Sequence, residues 1–431
     1  MVLIKKKLRT VVAALALGAL VASPAAGAEP APAVTTGPVF NDPTGDTTAE
    51  LRILRHLVQL VDGAEPQSTI RVSLYLYQSQ WMTDRLAAAH KRGVTVQVVV
   101  DHDSASTALE NLKSQLASPG GTDSWVRTCK RSEACLAKDP GTTAADPDGT
   151  YDNVNHNKFF LFSRTKGTGT VPVDDVVVQS SGNLTSSDVT SWWNDAMTVA
   201  GNKELFDAYT KYFDDQAAAA AGQRPQVDDY PYDVQAGKAK VYFFPRADTD
   251  VIVNILKTVA PAGTENPCAG NTPRSATSPG FGTSDGRTRI RIAQGHITRP
   301  EVAEQLWALA DAGCHIDIVY RKLDNWPLSQ TARTRVADWL TRPTAKGRIV
   351  LHQLHNDERG GTGSHTKYLL IEGTYHGGVD KKIVFTGSHT YTLTALRYND
   401  ETLLKYEDPA VFDAYLANFE AQRAAAESEG L

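Results

Sequence analysis

Two short segments of this 431-residue chain carry a histidine and a lysine two positions apart: His156-Asn157-Lys158 and His365-Thr366-Lys367. An apolar run follows each, Phe159 to Phe162 and Tyr368 to Ile371. A second polar segment comes next, Ser180-Ser181-Gly182-Asn183-Leu184-Thr185 in the first half and Gly387-Ser388-His389-Thr390-Tyr391-Thr392 in the second. Last is an Asn-Asp pair, Asn194-Asp195 after Trp192-Trp193 and Asn399-Asp400 after Tyr398. Histidine-to-serine spacings are 25 and 23 residues, and histidine-to-aspartate spacings are 39 and 35.

These residue types suit phosphodiester cleavage without a metal or other cofactor. A histidine and a lysine at i and i+2 of a strand face one side and reach one cleft. Lysine, serine hydroxyl and asparagine amide donate to phosphate oxygens as charge develops on them. A carboxylate fixes the tautomer of an imidazole and raises its basicity. Two imidazoles divide the work: one attacks phosphorus, and the other protonates the leaving alkoxide and then activates water. A lone H-x-K is weak, because eleven histidines and lysine at about one position in twenty give about half a match by chance. Two matches with the same Ser and Asn-Asp sequel make a duplicated site.

The elements around the motifs repeat as well. In the first half, residues 51–64 have helical apolar spacing, Ile70 to Tyr77 reads as a strand, residues 83–93 as a helix closed by Gly93, and residues 94–101 as a buried strand. In the second half the order returns as a helix over 249–260, a strand over 287–294, a helix over 299–313 and a strand over 314–322. A strand–helix–strand crossover in each half implies an α/β fold with parallel strands and helices on the sheet faces. The join falls in Gln216 to Tyr232, where an alanine run, Gly222, Pro225 and Pro231 break the pattern.

The pairs His156/Lys158 and His365/Lys367, with Ser181/Asn183 and Gly387/Ser388 downstream, resemble the doubled H-x-K signature of the phospholipase D superfamily. The resemblance covers most of the chain. It implies two similar α/β lobes about a pseudo-twofold axis, residues 29–222 and 223–431, with the active site between them. It also implies a phosphohistidine intermediate and no required metal. By the same resemblance His156 corresponds to the nucleophile and His365 to the general acid/base, with the reverse order open. Lys158, Lys367, Ser181, Asn183 and Ser388 correspond to phosphate-binding positions. Asp195 and Asp400 correspond to the carboxylates that buttress the histidines, with Glu401 the alternative to Asp400. Four positions depart from the pattern: Ser163 and Glu372 stand where the family has aspartate, Thr390 stands for the second asparagine, and Ser180 for the first glycine.

Residues 1–28 have the build of a cleaved secretory leader: Lys5, Lys6, Lys7 and Arg9, an apolar run from Val11 to Val21, and Ala26-Gly27-Ala28. Removing those four positive charges takes the net charge from −5 to −9. An acidic exported protein has no bulk attraction for nucleic acid, so nucleic acid is not the expected partner. Four cysteines fit an oxidising compartment. Of three possible connectivities the local one, Cys129–Cys135 with Cys268–Cys314, is favoured, and no C-x-x-C or His spacing supports the rival zinc site.

The remaining features divide between site and scaffold. Asp101-His102-Asp103 reads as a polar patch lining the cleft rather than a metal site. Trp192, Trp193 and Tyr391 either form an apolar rim or pack beneath the loop, and Tyr75, Tyr77, Gln80 and Trp81 could face the cleft. His352 and His355 have no assigned role. The expected function is a secreted, monomeric phospholipase D acting on glycerophospholipid at a membrane or micelle surface, giving phosphatidic acid and a free head group. A metal-independent nuclease and a non-catalytic phosphodiester binder are the rivals. Cardiolipin-building transferases share the motifs but usually carry membrane anchors, which the sequence after residue 28 lacks.

Overall fold

The apolar runs after the two H-x-K motifs become central strands buried on both faces, which is why they read as continuous rather than alternating. In the first, Phe159 and Leu161 enter one core while Phe160 and Phe162 enter another. In the second, Tyr368 and Leu370 share the first of these cores while Leu369 and Ile371 enter a third. In a computed structural model of the protein, the described residues are 33–117, 123–131, 133–139, 153–259, 266–323, 330–355 and 362–429. The expected leader, residues 1–28, lies outside them.

The first half supplies β1 (Gly37–Phe40), β2 (Thr69–Leu74), β3 (Thr95–Val100), β4 (Trp125–Thr128), β5 (Lys158–Thr165), β6 (Val173–Ser180), β7 (Trp192–Trp193) and β8 (Asp195–Val199). The second supplies β9 (Asp233–Ala236), β10 (Ala239–Phe243), β11 (Arg289–His296), β12 (His315–Lys322), β13 (Arg348–Gln353), β14 (Gly363–Ser364), β15 (Lys367–Tyr375), β16 (Gly378–Gly387) and β17 (Thr402–Glu407). Seven strands form one sheet in the order β1-β8-β6-β5-β2-β3-β4. Eight form the other in the order β9-β10-β17-β16-β15-β11-β12-β13, the same sequence of strands with β9 added at one edge. Pairing is parallel within β2-β3-β4 and β11-β12-β13 and antiparallel elsewhere, so each sheet is mixed.

Between the sheets lies a core built from their facing sides and from two helices, Lys203–Ala220 and Pro409–Glu429. Tyr209, Tyr212 and Phe213 come from the first helix and Phe412, Tyr415 and Phe419 from the second. Each fully buried aromatic or aliphatic side chain contributes about 1.5–3 kcal/mol relative to exposure. The outer face of each sheet carries its own helices and apolar cluster, giving alternating helical and sheet layers.

Element ends differ from the sequence expectation for local reasons. The helix expected over 83–93 runs Gln80–Lys91, because Ser79 caps it by accepting from Met82 N at 3.2 Å. Gly93 (φ 89°) and Gly313 (φ 114°) then turn the chain from helix into β3 and β12, in a left-handed conformation that a side chain would resist. The strand expected to reach Tyr77 stops at Leu74, where the chain leaves the ladder toward the cleft. No helix among the described residues is long and apolar enough to cross a membrane.

Both expected disulfides form, Cys129–Cys135 and Cys268–Cys314, with sequence separations of 6 and 46 residues. Loop-closure entropy makes the second the larger stabiliser. Replacing Cys268 and Cys314 together with serine is expected to cost about 4 kcal/mol, against about 2 kcal/mol for the Cys129/Cys135 pair. Urea unfolding of the two double variants beside the native protein measures that order.

Candidate active site

The two motif histidines are held by backbone pairing between opposite halves. Asn155 forms a parallel bridge with Asp400, and His156 N donates to Asp400 O at 3.0 Å. In the pseudo-twofold counterpart β14 pairs with β7, and His365 N donates to Trp193 O at 3.0 Å. Each histidine therefore precedes its strand rather than lying in it, and each is attached to the half that does not encode it. Lys158 and Lys367 open β5 and β15, and each Nζ donates back to the carbonyl of its own motif histidine. That contact keeps lysine and histidine on one side, as the i, i+2 spacing implies.

Behind each imidazole stands an acceptor from the opposite half. Glu401 Oε1 lies 2.9 Å from His156 Nδ1. Asn194 Oδ1 lies 2.9 Å and Asp188 Oδ1 3.1 Å from His365 Nδ1. Carboxylates accept only, so both Nδ1 atoms carry the proton and both Nε2 atoms keep a lone pair. The histidines open onto one cleft of about 400 Å³ whose walls include Asn183, Asp188, Lys367 and Thr390. Tyr75 flanks His156 with ring centroids 5.4 Å apart, and Trp192 flanks His365 at 4.9 Å.

The carboxylate assignment needs correction. Asp195 and Asp400 do not touch the imidazoles. Asp195 is fully buried and accepts from Thr386 Oγ1 and from Tyr415 OH at 2.8 Å. Asp400 accepts from the backbone N–H groups of Leu136 at 3.0 Å and Ala137 at 2.7 Å, and from Gln216 Nε2 at 3.0 Å. Equating the two Asn-Asp pairs is what misleads. Ser181 N donates to Asp195 O, and its counterpart Ser388 N donates to Thr402 O. By that register Asn194 is the structural mate of Glu401, and Asp195 of Thr402. The mates even exchange matching bonds: Thr386 Oγ1 donates to Asp195 and Thr402 Oγ1 to Gln179 Oε1. Glu401, the alternative weighed for Asp400, is the carboxylate at His156.

Asp188 is the residue that motif reading missed. It sits in the first turn of the short helix Ser186–Thr190, where Thr185 Oγ1 accepts from Asp188 N at 3.2 Å and donates to Asp188 Oδ2 at 2.6 Å. The sequence signal was a capping box, Thr185-Ser186-Ser187-Asp188. Asn183 serves the same residue: its Nδ2 lies 3.2 Å from Asp188 Oδ2, while its Oδ1 accepts from Leu76 N. Ser181 Oγ donates to Asn194 Oδ1 at 3.0 Å, and Ser388 Oγ accepts from Thr402 N at 3.1 Å. Both serines thus brace the acceptor segments, and Lys158, Ser181 and Ser388 are all buried.

The other sequence candidates separate cleanly. Trp193 and Tyr391 are buried in the core, and only Trp192 reaches the cleft, with the Arg321 guanidinium 4.4 Å above its ring. Tyr77 is buried against Thr83, Trp81 packs on the outer helices, and Gln80 bonds Asp84 and Asn111 at the surface. Asp101 braces the chain before His156 by accepting from Asn155 N at 2.7 Å. Among the described residues no His, Cys, Asp or Glu group is placed to hold a metal ion. His352 faces Glu427 and His355 faces Arg321, while His296, unmarked in the sequence, also lines the cleft. The departures are accommodated: Ser163 Oγ accepts from Thr69 N, and Glu372 takes a buried ion pair with Arg291. Thr390 Oγ1 bonds Thr392 Oγ1.

Burial sets the charges. It lowers His365 to about 3, aided by the nearby Lys367 charge, and it lowers His156 well below the ordinary imidazole range. Both rings are therefore neutral near pH 7. Burial brings Lys158 down to about 8 and Lys367 to about 7, and pushes Glu401 up to about 7 and Asp400 to about 6. Burial alone would raise Asp188 too, but His365 and the hydrogen bonds from Thr185 and Asn183 carry it below the usual carboxylate range.

These geometries give two expectations. Asp188→Asn and Glu401→Gln should each lower kcat on a phosphodiester about 100-fold, whereas Asp195→Asn should act mainly on the melting temperature; parallel kinetics and thermal melts separate the two. His365 has a folded pKa near 3 against 6.5 unfolded. The stability it contributes is therefore complete above pH 6.5 and is lost as pH falls toward 3. The stability difference between native protein and His365→Gln should shrink by up to about 1.4 kcal/mol per pH unit across that window, measured by denaturant unfolding.

The profile of the cardiolipin synthase, phospholipase D-like domain matches residues 57–216 and 284–423, spanning both halves. No curated protein sequence matches significantly. Among solved structures the chain is similar to phosphatidylserine synthase from Haemophilus influenzae Rd KW20, at 12% identity and a TM-score of 0.54, over 90% of this chain and 86% of that one. It is also similar to polyphosphate kinase from Porphyromonas gingivalis, at 14% identity and a TM-score of 0.52, over 89% of this chain but only 50% of that one. At such identities the likeness is one of fold.

Proposed function

We propose that this chain, which belongs to the phospholipase D superfamily, is a secreted phospholipase D that hydrolyses glycerophospholipids to phosphatidic acid and a free head group. The observation that carries the reading is the pair of neutral imidazoles, each with Nδ1 tied to an acceptor and a buried lysine beside it, opening onto one cleft. Residues 29–222 and 223–431 are its two lobes. The leader-like residues 1–28, the two disulfides and the net acidity support export and a lipid rather than a nucleic acid.

In the first step the Nε2 lone pair of His156 attacks phosphorus, an N–P bond forms, and the P–O bond to the head group breaks. His365, protonated at Nε2, gives that proton to the departing oxygen. In the second step neutral His365 takes a proton from water as the water oxygen attacks phosphorus, and the N–P bond breaks to restore His156. Asp188 supports this order of roles. It is the more strongly ionised of the two carboxylates and faces His365, where it stabilises an imidazolium. Burial first, and then the Lys367 charge, keep His365 neutral in the free protein; the negative charge of a bound diester favours its imidazolium beside Asp188, so His365 takes up this proton as the substrate binds. Lys158 and Lys367, held by the motif carbonyls, answer the charge on the phosphoryl oxygens.

The test is phosphatidic acid formation by the protein on mixed phospholipid vesicles in EDTA, with His156→Ala as control. Formation that disappears in the variant is expected. Cleavage of DNA or RNA instead would make the chain a nuclease, and binding of phosphodiesters without turnover would make it a binder.

A further inference from the structure

Among the described residues the two halves of the site differ most at one position that the mechanism leaves unused. Gly182 lies between Ser181 and Asn183, and its mate in the second half, between Ser388 and Thr390, is His389. At Gly182 a Cβ would sit 3.0 Å from Cγ of Asn194, so this position abuts the group that holds His365. Because Glu401 is the mate of Asn194, position 389 stands beside the group that holds His156, and the Glu401 carboxylate acts electrostatically on the His389 ring. The imidazole of His389 is fully buried, with its ring centroid 4.3 Å from that of Phe244. Neither of its nitrogens has a hydrogen-bond partner among the described residues, and the same holds for Glu401 Oε2. Two adjacent buried polar groups, each short of a partner, cost free energy that a purely apolar packing would avoid.

We infer that His389 is a positioning residue for His156, acting through Glu401 by presenting an N–H to Oε2 of that carboxylate, directly or across one water. The inference rests on the catalytic reading of His156. In the first half Asn194 holds His365 and Asp188 adds the negative charge; in the second half Glu401 carries both tasks, and His389 keeps it ionised and oriented. The groups facing this pair are His156 and Lys158 on the cleft side and Arg299 from the adjoining helix start, with Asn399 Nδ2 3.5 Å from Glu401 Oε1. The effect is largest when His156 becomes positively charged on bonding to phosphorus, because an ionised Glu401 then stabilises the intermediate.

His389→Phe preserves ring volume beside Phe244 and removes both nitrogens, and His389→Gln restores a donor. His389→Phe is expected to lower kcat about tenfold with KM little changed. Glu401 loses a donor to its charged form, its pKa rises, and the acid limb of the kcat profile moves to higher pH. His389→Gln should move the limb back. Nitrogen-15 NMR of the His156 ring is the second readout and needs no turnover: the protonation midpoint and Nδ1–H signal should shift in His389→Phe and recover in His389→Gln. An unchanged His156 titration in a folded His389→Phe protein overturns the inference, as does equal impairment of both variants with an unmoved pH limb. Where His389→Phe fails to fold, His389→Gln and His389→Asn decide by the same NMR titration. Absence of any phosphodiesterase activity in native protein would count against the function proposed above and leave the NMR result to judge His389.

Discussion

Everything at the site depends on two short backbone exchanges, His156 to Asp400 and His365 to Trp193. Each fixes a histidine on the half of the molecule that supplies its acceptor. Neither half could orient its own imidazole, because the acceptor for His156 is encoded 245 residues away and those for His365 lie 171 and more residues upstream. A hydrogen bond to an imidazole sets the tautomer only if donor and acceptor are held within a few tenths of an ångström. Sewing the segments together through main-chain bonds provides that precision just ahead of the two central strands. The Leu136 and Ala137 N–H groups then pin Asp400 from the Cys129–Cys135 loop.

A second constraint is electrostatic. Two lysines and two histidines are gathered in a buried space, and isolated charges there would be unsupportable. The structure meets this by leaving the imidazoles neutral, lowering the lysines toward neutrality, and placing Asp188 and Glu401 beside them. On the function proposed above, an anionic phosphodiester pairs with the two lysines.

The pseudo-twofold frame was largely legible in the sequence. Strands buried on both faces give unbroken apolar runs, so β5 and β15 were visible after each motif, and the strand–helix–strand order appeared twice. The two H-x-K pairs and both disulfides could be found from spacing. The carboxylates could not, because the match of Asn194-Asp195 to Asn399-Asp400 is a coincidence of letters. Ladder register pairs Asn194 with Glu401, and register is set by contacts across the sheet that no local spacing encodes. Asp188 was hidden differently: Thr185 and Asp188 form a helix cap, and only the tertiary position of that cap beside His365 gives the carboxylate a second use.

Duplication explains why these departures are tolerated. In a symmetric site both halves would need the same acceptor, and a change in one would damage both steps. Here the halves have diverged: Asn194 with Asp188 on one side, Glu401 on the other, and glycine against histidine at positions 182 and 389. The proposed two-step displacement asks different things of the two imidazoles, since one bonds to phosphorus and the other gains and loses a proton. A backbone that holds both rings in equivalent places while the residues behind them differ can meet the two demands independently. The asymmetry of the acceptors, rather than the symmetry of the motifs, is therefore what the proposed roles rest on.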